Sequence, residues 1–237
     1  MKKNILGVGV TDAKSEDILE YVLDEVKKPS KKLSIVTPNP EIVVYATKHP
    51  TFKKLINEAD LALCDGVGLL LAGMVLGKPL PERITGVDLM KSLCEKSVKK
   101  AYTIGFLGGR AGVAERTAEC LKGLYPGLRV DFTESDFDVK HFPKKGVDIL
   151  FVAFGFPKQE EWIAKNLPLL PVKVAMGVGG AFDYLSGNVT RAPFIVRAVG
   201  LEWLFRLIRQ PWRWRRQLSL LLFAKLVIQA RLRLVQR

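Results

Sequence analysis

Apolar and polar positions alternate along most of this chain in two different rhythms. Six short apolar runs of strand length are separated by longer segments with the apolar period of an amphipathic helix. Strands that alternate with helices predict an α/β fold, a Rossmann-like and mostly parallel sheet covered by helices on both faces. The predicted strands are Ile5–Val10, Leu33–Thr37, Leu61–Asp65, Thr103–Leu107, Asp148–Phe154 and Val172–Val178. The predicted helices include Ser15–Lys27, Glu41–Thr47, Gly86–Lys99, Gly112–Leu124 and Gln159–Asn166.

The segments that follow five of these strands are rich in glycine and polar residues. A parallel sheet binds its ligand at the carboxyl ends of its strands, so these segments predict one crevice of nucleotide size. They are Thr37-Pro38-Asn39, Asp65-Gly66, Gly108-Gly109, Gly155-Phe156-Pro157-Lys158-Gln159 and Gly177-Val178-Gly179-Gly180.

The last part of the chain has a different composition. Residues 191–237 hold eleven of the 37 basic residues but only one of the 24 acidic residues, Glu202. The rest of the chain is left with 26 basic and 23 acidic residues, so most of the net charge of +13 belongs to this tail. The change of composition at Ala192–Pro193 predicts an α/β domain over 1–193 and a basic, amphipathic helical appendage over 194–237.

Cysteines and apolar segments limit the class of protein. The three cysteines are scattered, with no paired spacing and no histidine cluster, which fits a reducing cytosol and predicts no zinc site. The first apolar run is too short for a signal peptide, and no stretch reaches the roughly 18 apolar residues of a membrane span. We therefore expect a protein that does not cross a membrane.

Several residues at the strand ends have two interpretations. Asp65, with open space beside Gly66, suits a general base in the crevice or a cap on the next helix. Gly108-Gly109 suits phosphate binding on backbone N–H groups or a turn that packs strand on helix. Gln159 suits recognition of a base or sugar, or a plain helix start, and Asp183 lies among glycines that permit close backbone approach to a ribose or base.

Metal chemistry has little support in the sequence. Asp136 and Asp138 form a D-x-D after a weak strand, but the surrounding acidic segment is typical of a solvated loop. His49 and His141 have no partner at a metal-ligand spacing and are predicted to be surface residues. We therefore predict no metal site and no cofactor.

Four arginines of the tail have helical spacing. Arg206, Arg209, Arg213 and Arg216 are three or four positions apart and would share one helical face, although Pro211 would kink the helix or begin a second one. This face is predicted to close over the crevice and bind phosphates. Tryptophans and leucines of the tail suit the headgroup boundary of an anionic bilayer, and burial in a homo-oligomer is the alternative.

Taken together, the motifs resemble the WecG/TagA/CpsF family of bacterial glycosyltransferases. The matching stretches cover nearly the whole chain in family order: TPNPEIVVYA (37–46), ADLALCDGVG (59–68), PLPERITGVDLM (79–90), GFPKQEEWI (155–163), GVGGAFDYLSG (177–187) and RAP…GLEWLFRL (191–207). The resemblance implies an inverting, metal-independent transfer of N-acetylmannosamine from UDP-N-acetylmannosamine to the C4 hydroxyl of undecaprenyl-diphosphate-linked N-acetylglucosamine, in wall teichoic acid linkage synthesis. It also implies a peripheral location on the inner face of the bacterial cell membrane.

The same resemblance implies roles for individual residues. Asp65 would be the base. The residues implied around the substrates are Thr37 and Asn39 near the reacting sugar, Arg83 at the pocket edge, Gln159 and Asp183 toward the nucleotide, Gly108, Gly109, Gly155 and Gly180 in the substrate-binding turns, and Arg206, Arg213 and Arg216 from the tail.

Other functions remain open at this point. Another UDP-sugar, such as N-acetylmannosamine uronate or glucose, would serve a different surface polysaccharide. The basic tail alone would also fit a nucleic-acid-binding protein, but its leucine-rich stretch suits a bilayer better and the body has no basic stripe. A nicotinamide-dependent oxidoreductase would need the G-x-G-x-x-G turn that this sequence lacks.

Overall fold

The computed structural model describes residues 1–28, 32–136 and 142–236. Its centre is a six-stranded sheet in which every pairing is parallel, with the strand order β4-β3-β8-β7-β5-β6. The strands are β3 (Leu33–Val36), β4 (Leu61–Ala62), β5 (Thr103–Gly108), β6 (Arg129–Glu134), β7 (Val147–Ala153) and β8 (Val172–Gly177). The parallel α/β architecture predicted from the sequence is confirmed.

The first predicted strand is wrong in both extent and place. Instead of one strand over Ile5–Val10, the chain forms an antiparallel hairpin of β1 (Lys2–Ile5) and β2 (Val8–Thr11) outside the main sheet. Leu6 and Gly7 both have positive φ, at 52° and 89°, and this two-residue turn reverses the chain inside the apolar run.

Helices cover both faces of the sheet. The five predicted helices named above are confirmed with small shifts at their ends, and the described part of the body has three further helices. The helices of the body are α1 (Ser15–Val26), α2 (Pro40–Lys48), α3 (Pro50–Glu58), α4 (Val67–Val75), α5 (Gly86–Lys100), α6 (Val113–Leu124), α7 (Lys158–Asn166) and α8 (Ala181–Leu185). One apolar core lies beneath α1, α5 and α6, and a second lies beneath α2, α3 and α4.

The tail forms three helices and a 3₁₀ turn. These are α9 (Phe194–Ala198), α10 (Glu202–Arg209), the turn Pro211–Arg213 and α11 (Trp214–Val235). The single arginine face predicted across Pro211 is therefore wrong, because α10 ends before the proline and the helical period does not continue through it. Phe223 and Val227 of α11 are buried in the core of α2 and α4, so the last helix packs on the body.

Candidate active site

A cavity of about 580 Å³ opens at the carboxyl ends of β3, β4 and β8. The loop after each strand contributes to its wall, and helices α10 and α11 of the tail form the opposite wall. The side chains that line it from α4 and from the later part of α11 are apolar, and we call this part the apolar end. Most polar lining side chains come from the strand-end loops, from α10 and from the start of α11, and we call this part the polar end. The polar lining residues include Asn39, Glu41, Asp65, Arg83, Thr85, Arg191, Glu202, Arg206, Arg216, Gln217 and Ser219. Three of the five predicted strand-end segments, those after β3, β4 and β8, thus share one cavity, and the tail lines it too; the segments after β5 and β7 do not line it.

Asp65 stands at the end of β4, on the wall of this cavity. Its backbone N–H donates to the carbonyl oxygen of Pro38 at 3.1 Å, which ties the ends of β4 and β3 together. We find no hydrogen-bond partner for its carboxylate among the described residues. Burial, followed by the negative charge of Glu202, raises the pKa of Asp65 to about 7, while Arg83 acts in the opposite direction. A carboxylate with this pKa suits proton abstraction near neutral pH.

Asn39 and Thr37 follow β3 and have defined structural partners. Asn39 is the N-cap of α2, and its side-chain oxygen accepts a hydrogen bond from the N–H of Ile42 at 3.0 Å. It also lines the cavity. Thr37 is buried behind this wall, where its hydroxyl donates to the carbonyl oxygen of Gly177 at 3.2 Å and joins the ends of β3 and β8. Capping and cavity lining therefore coexist in Asn39.

Three of the predicted arginines reach the cavity from different elements. Arg83 lies in the segment before α5, whereas Arg206 and Arg216 belong to α10 and α11. The guanidinium of Arg206 lies 5.0 Å over the ring centre of Tyr184, and that of Arg216 donates to both carboxylate oxygens of Glu41 at 2.8 and 2.7 Å. The fold thus brings together cations that the sequence holds far apart.

Other predicted site residues lie outside the cavity lining. Gln159 is buried behind the loop after β8, where its amide oxygen accepts from the N–H of Gly179 at 3.0 Å and its amide nitrogen donates to Glu160 at 2.8 Å. Asp183 lies in the first turn of α8. Gly108, Gly109 and Gly155 belong to the ends of β5 and β7, away from the tail, whereas Gly180 lines the cavity. The side chain of Arg213 is outside what the structure describes.

Sequence reasoning missed several residues of the cavity wall. Thr85, Arg191 and Glu202 line the polar end, and Trp203 and Tyr184 add aromatic surface beside it. Arg191 and Glu202 stood within a stretch that resembles the family, and Glu202 is the single acidic residue of the tail. Those two signals could have identified the pair.

The described residues contain neither a metal-ligand cluster nor a membrane-spanning helix. Within residues 1–28, 32–136 and 142–236, no group of three His, Cys, Asp or Glu side chains could hold a metal ion. Of the residues discussed above, Asp138 and His141 fall outside the described residues. No helix in the described part of the chain has both the length and the hydropathy of a membrane span.

A comparison with known families agrees with this geometry. The model of the glycosyl transferase WecG/TagA/CpsF family matches residues 3–237. The chain belongs to this family. Its resemblance to the family, carried by the motifs around Asp65, Gln159 and Asp183, is therefore confirmed, and the protein is a glycosyltransferase.

Three relatives of this protein align with most of the chain. The protein from Bacillus spizizenii is 39% identical over 197 residues, which is 81% of this chain and 77% of the relative. One from Staphylococcus aureus MRSA252 is 35% identical over 213 residues (86% and 84%), and one from Bacillus subtilis 168 is 33% identical over 201 residues (82% and 78%). All three are named N-acetylglucosaminyldiphosphoundecaprenol N-acetyl-beta-D-mannosaminyltransferase.

Proposed function

We propose that this glycosyltransferase transfers N-acetylmannosamine from UDP-N-acetylmannosamine to the C4 hydroxyl of undecaprenyl-diphosphate-linked N-acetylglucosamine. The observation that carries the proposal is Asp65, a carboxylate of raised pKa on the wall of a cavity that also holds arginines from the body and the tail. The shared name of the relatives supports the acceptor and the sugar. The product of this transfer would enter the linkage unit of wall teichoic acid.

The reaction proposed is a single displacement that inverts the anomeric carbon. Asp65 takes the proton of the acceptor hydroxyl, whose oxygen forms the new bond to C1 of the donor sugar. The bond from C1 to the diphosphate oxygen breaks, and UDP leaves with the electron pair. Asn39 lines the same wall, and we propose that it contacts the reacting sugar. A carboxylate on the end of a strand is held rigidly, which favours correct orientation.

Charge that develops on the departing diphosphate needs a positive partner. Arg83, Arg206 and Arg216 supply guanidinium groups around the polar end of the cavity. Such groups bind phosphate oxygens through charge-assisted, bidentate hydrogen bonds. We propose that they stabilise the leaving UDP, that Arg213 joins them, and that the reaction requires no metal ion.

The apolar end of the cavity supports a lipid-linked acceptor. It lies between α4 and α11 and is lined by Leu71, Ala72, Val75, Leu220, Phe223, Ala224, Val227 and Ile228. Leu71 and Ile228 are 52% and 57% exposed, so this end opens to the surface. A sugar linked to a polyprenyl diphosphate has the same order of polar and apolar parts as the cavity.

The tail carries features that suit a membrane surface. Phe194, Ile195, Trp212 and Trp214 are exposed beside its arginines, a combination typical of the headgroup region of an anionic bilayer. We propose that residues 1–193 form the catalytic domain, and that residues 194–237 complete the site and bind the inner face of the cell membrane. A homo-oligomer that covers the same apolar side chains is the alternative for this surface.

A panel of UDP-sugars tests the proposal most directly. The full chain would be incubated with each donor and a short-chain lipid-diphosphate N-acetylglucosamine acceptor, and products scored by mass. We expect acceptor-dependent release of UDP and the addition of one N-acetylhexosamine from UDP-N-acetylmannosamine. Preference for the uronate or for UDP-glucose would assign the enzyme to another surface polysaccharide, and no transfer from any donor would contradict the proposal.

A further inference from the structure

The tail's single acidic residue lies inside the candidate active site. Glu202 begins α10 and lines the cavity together with Asp65. Every other charged residue from 191 to 237 is basic, so a carboxylate at this position runs against the local composition. The proposed binding of diphosphate by tail arginines does not explain a carboxylate at this position.

Arg191 holds the Glu202 carboxylate in place. Its Nε donates to Oε1 of Glu202 at 3.4 Å, while Nη1 and Nη2 donate to the two carboxylate oxygens of Asp88 at 2.7 and 2.9 Å. Only 18% of the Arg191 side chain is exposed and 20% of that of Glu202. One guanidinium therefore joins the start of α10 to the first turn of α5.

The α5 side of this contact is itself fixed. Thr85 is the N-cap of α5, and its hydroxyl oxygen accepts from the N–H of Asp88 at 3.2 Å. The same hydroxyl donates to Oδ2 of Asp88 at 2.6 Å. Asp88 is therefore hydrogen-bonded within its own helix start as well as to Arg191, and a bidentate pair with an arginine adds geometric specificity. The contact from the tail thus ends on the capped first turn of α5.

The charges that face Asp65 come from several elements. The acidic groups that raise the pKa of Asp65 are Glu202 of α10 and Asp88 of α5, and the basic groups that lower it are Arg83 before α5 and Arg191 before α9. The thiol of Cys64 precedes Asp65, and burial together with the charge of Asp65 raises its pKa to about 12, so it stays neutral. Among the neighbouring charges, Glu202 has the largest effect on the pKa of Asp65. The other charged lining residues are Glu41, Arg206 and Arg216.

We propose that Arg191 and Glu202 are positioning residues: Arg191 fastens the first helix of the tail to the start of α5 and thereby holds the Glu202 carboxylate beside Asp65. This rests on the proposed role of Asp65 as the base. A nearby carboxylate makes Asp65 retain its proton more strongly and so makes it a better proton acceptor. Docking of the tail then tunes the base as well as closing the site.

The first test is the pH dependence of kcat/KM in Glu202→Gln. Removing the negative charge of Glu202 favours ionised Asp65. The acidic limb of the profile, where kcat/KM rises with pH, should therefore move to lower pH by about 0.5 to 1 unit. Glu58→Gln, which removes an exposed carboxylate on α3, is the matched control and should leave the limb in place. An unmoved limb in a folded Glu202→Gln protein would overturn the role of Glu202.

The second test does not depend on activity. Arg191→Lys keeps the positive charge but loses the planar fork, so amide hydrogen exchange in α10 should become faster than in the wild type. Asp88→Asn should give the same increase, and the double variant should add little to either. Unchanged exchange in Arg191→Lys, with an unchanged melting temperature, would overturn the fastening role.

The two proposals fail in different ways. Near-normal turnover of Asp65→Asn would show that Asp65 is not the base. Hydrogen exchange in Arg191→Lys would then still test the fastening role of Arg191. If Asp65→Asn were inactive and the acidic limb of the pH profile were unmoved in Glu202→Gln, only the role of Glu202 would be contradicted.

Discussion

The guanidinium of Arg206 lies against the backbone of Gly180, so close that a Cβ atom at Gly180 would stand 2.8 Å from Nη2. Gly180 has φ of −74°, a conformation that alanine adopts readily, so only the neighbouring arginine opposes a side chain there. This contact determines where Arg206 of the tail enters the cavity. A substitution at Gly180, in the body, can therefore disturb the contact without altering Arg206 itself.

Gly180→Ala should displace Arg206 while preserving the fold. Because the guanidinium is the far end of a flexible side chain, we expect little change in melting temperature. We expect kcat/KM to fall in the same direction as in Arg206→Ala, for which a loss of about 100-fold is typical of removing one transition-state donor. Gly123→Ala, with open space around the new Cβ, is the control. Full activity of both Gly180→Ala and Arg206→Ala would contradict the diphosphate role of Arg206.

Turnover should depend on pH through Asp65. A base accepts a proton only when ionised, so kcat/KM should rise with pH up to about 7, the raised pKa of Asp65, and then level. Asp65→Asn should lower kcat by about 100- to 10,000-fold and remove this limb. The profile would be measured from initial rates of UDP release at acceptor concentrations well below KM. An unchanged limb in Asp65→Asn would assign it to another group.

The last helix should contribute to the stability of the body. Phe223 is 5% exposed and packs in the core of α2 and α4, whereas Leu221, two residues earlier, is 71% exposed. Phe223→Ala should cost about 3 to 5 kcal/mol in the free energy of unfolding, and Leu221→Ala about 0.5 kcal/mol or less. Urea unfolding would measure both. Equal costs would show that α11 leaves this packing in solution.

Exposed aromatic residues of the tail should bind anionic membranes. Replacing Trp212 with serine removes a large apolar side chain from the surface, and we expect vesicle affinity to fall about tenfold. Sedimentation with phosphatidylglycerol-containing vesicles would measure this, and binding should weaken with added salt. Leu169→Ser, an exposed apolar position outside the tail, is the control. A concentration-dependent dimer without vesicle binding would favour the oligomer instead.

Chelation tests whether arginines suffice at the diphosphate. Since Arg83, Arg206 and Arg216 bring positive charge to the cavity, we expect turnover to persist in excess EDTA. The assay would compare initial rates with EDTA, with added Mg²⁺ and with neither. A loss in EDTA that Mg²⁺ restores would show that a divalent cation takes part.

Local patterns determined much of this protein from its sequence. Helices and strands follow from the spacing of apolar residues, which each segment carries within itself. The place of Asp65 at the end of an apolar run left a base and a helix cap both open, and the family resemblance implied the base. Reasoning from spacing failed at Leu6-Gly7, where two positive φ angles reverse the chain inside an apolar run. It failed again for the shared arginine face across Pro211, because residues at helical spacing lie on one face only while the helix continues, and α10 ends before the proline.

Only the tertiary structure decided which residues share the site. Arg191 and Asp88 are 103 residues apart, and Arg216 and Glu41 are 175 apart, so no local period relates them. Their contacts arise because α10 and α11 fold back onto the ends of parallel strands. Gln159 shows the converse: its polar side chain suggested a ligand, a role that stays a prediction, while in the folded chain it is buried and hydrogen-bonded to Gly179 and Glu160. Burial and charge around Asp65, which set its chemistry, depend on the whole chain for the same reason.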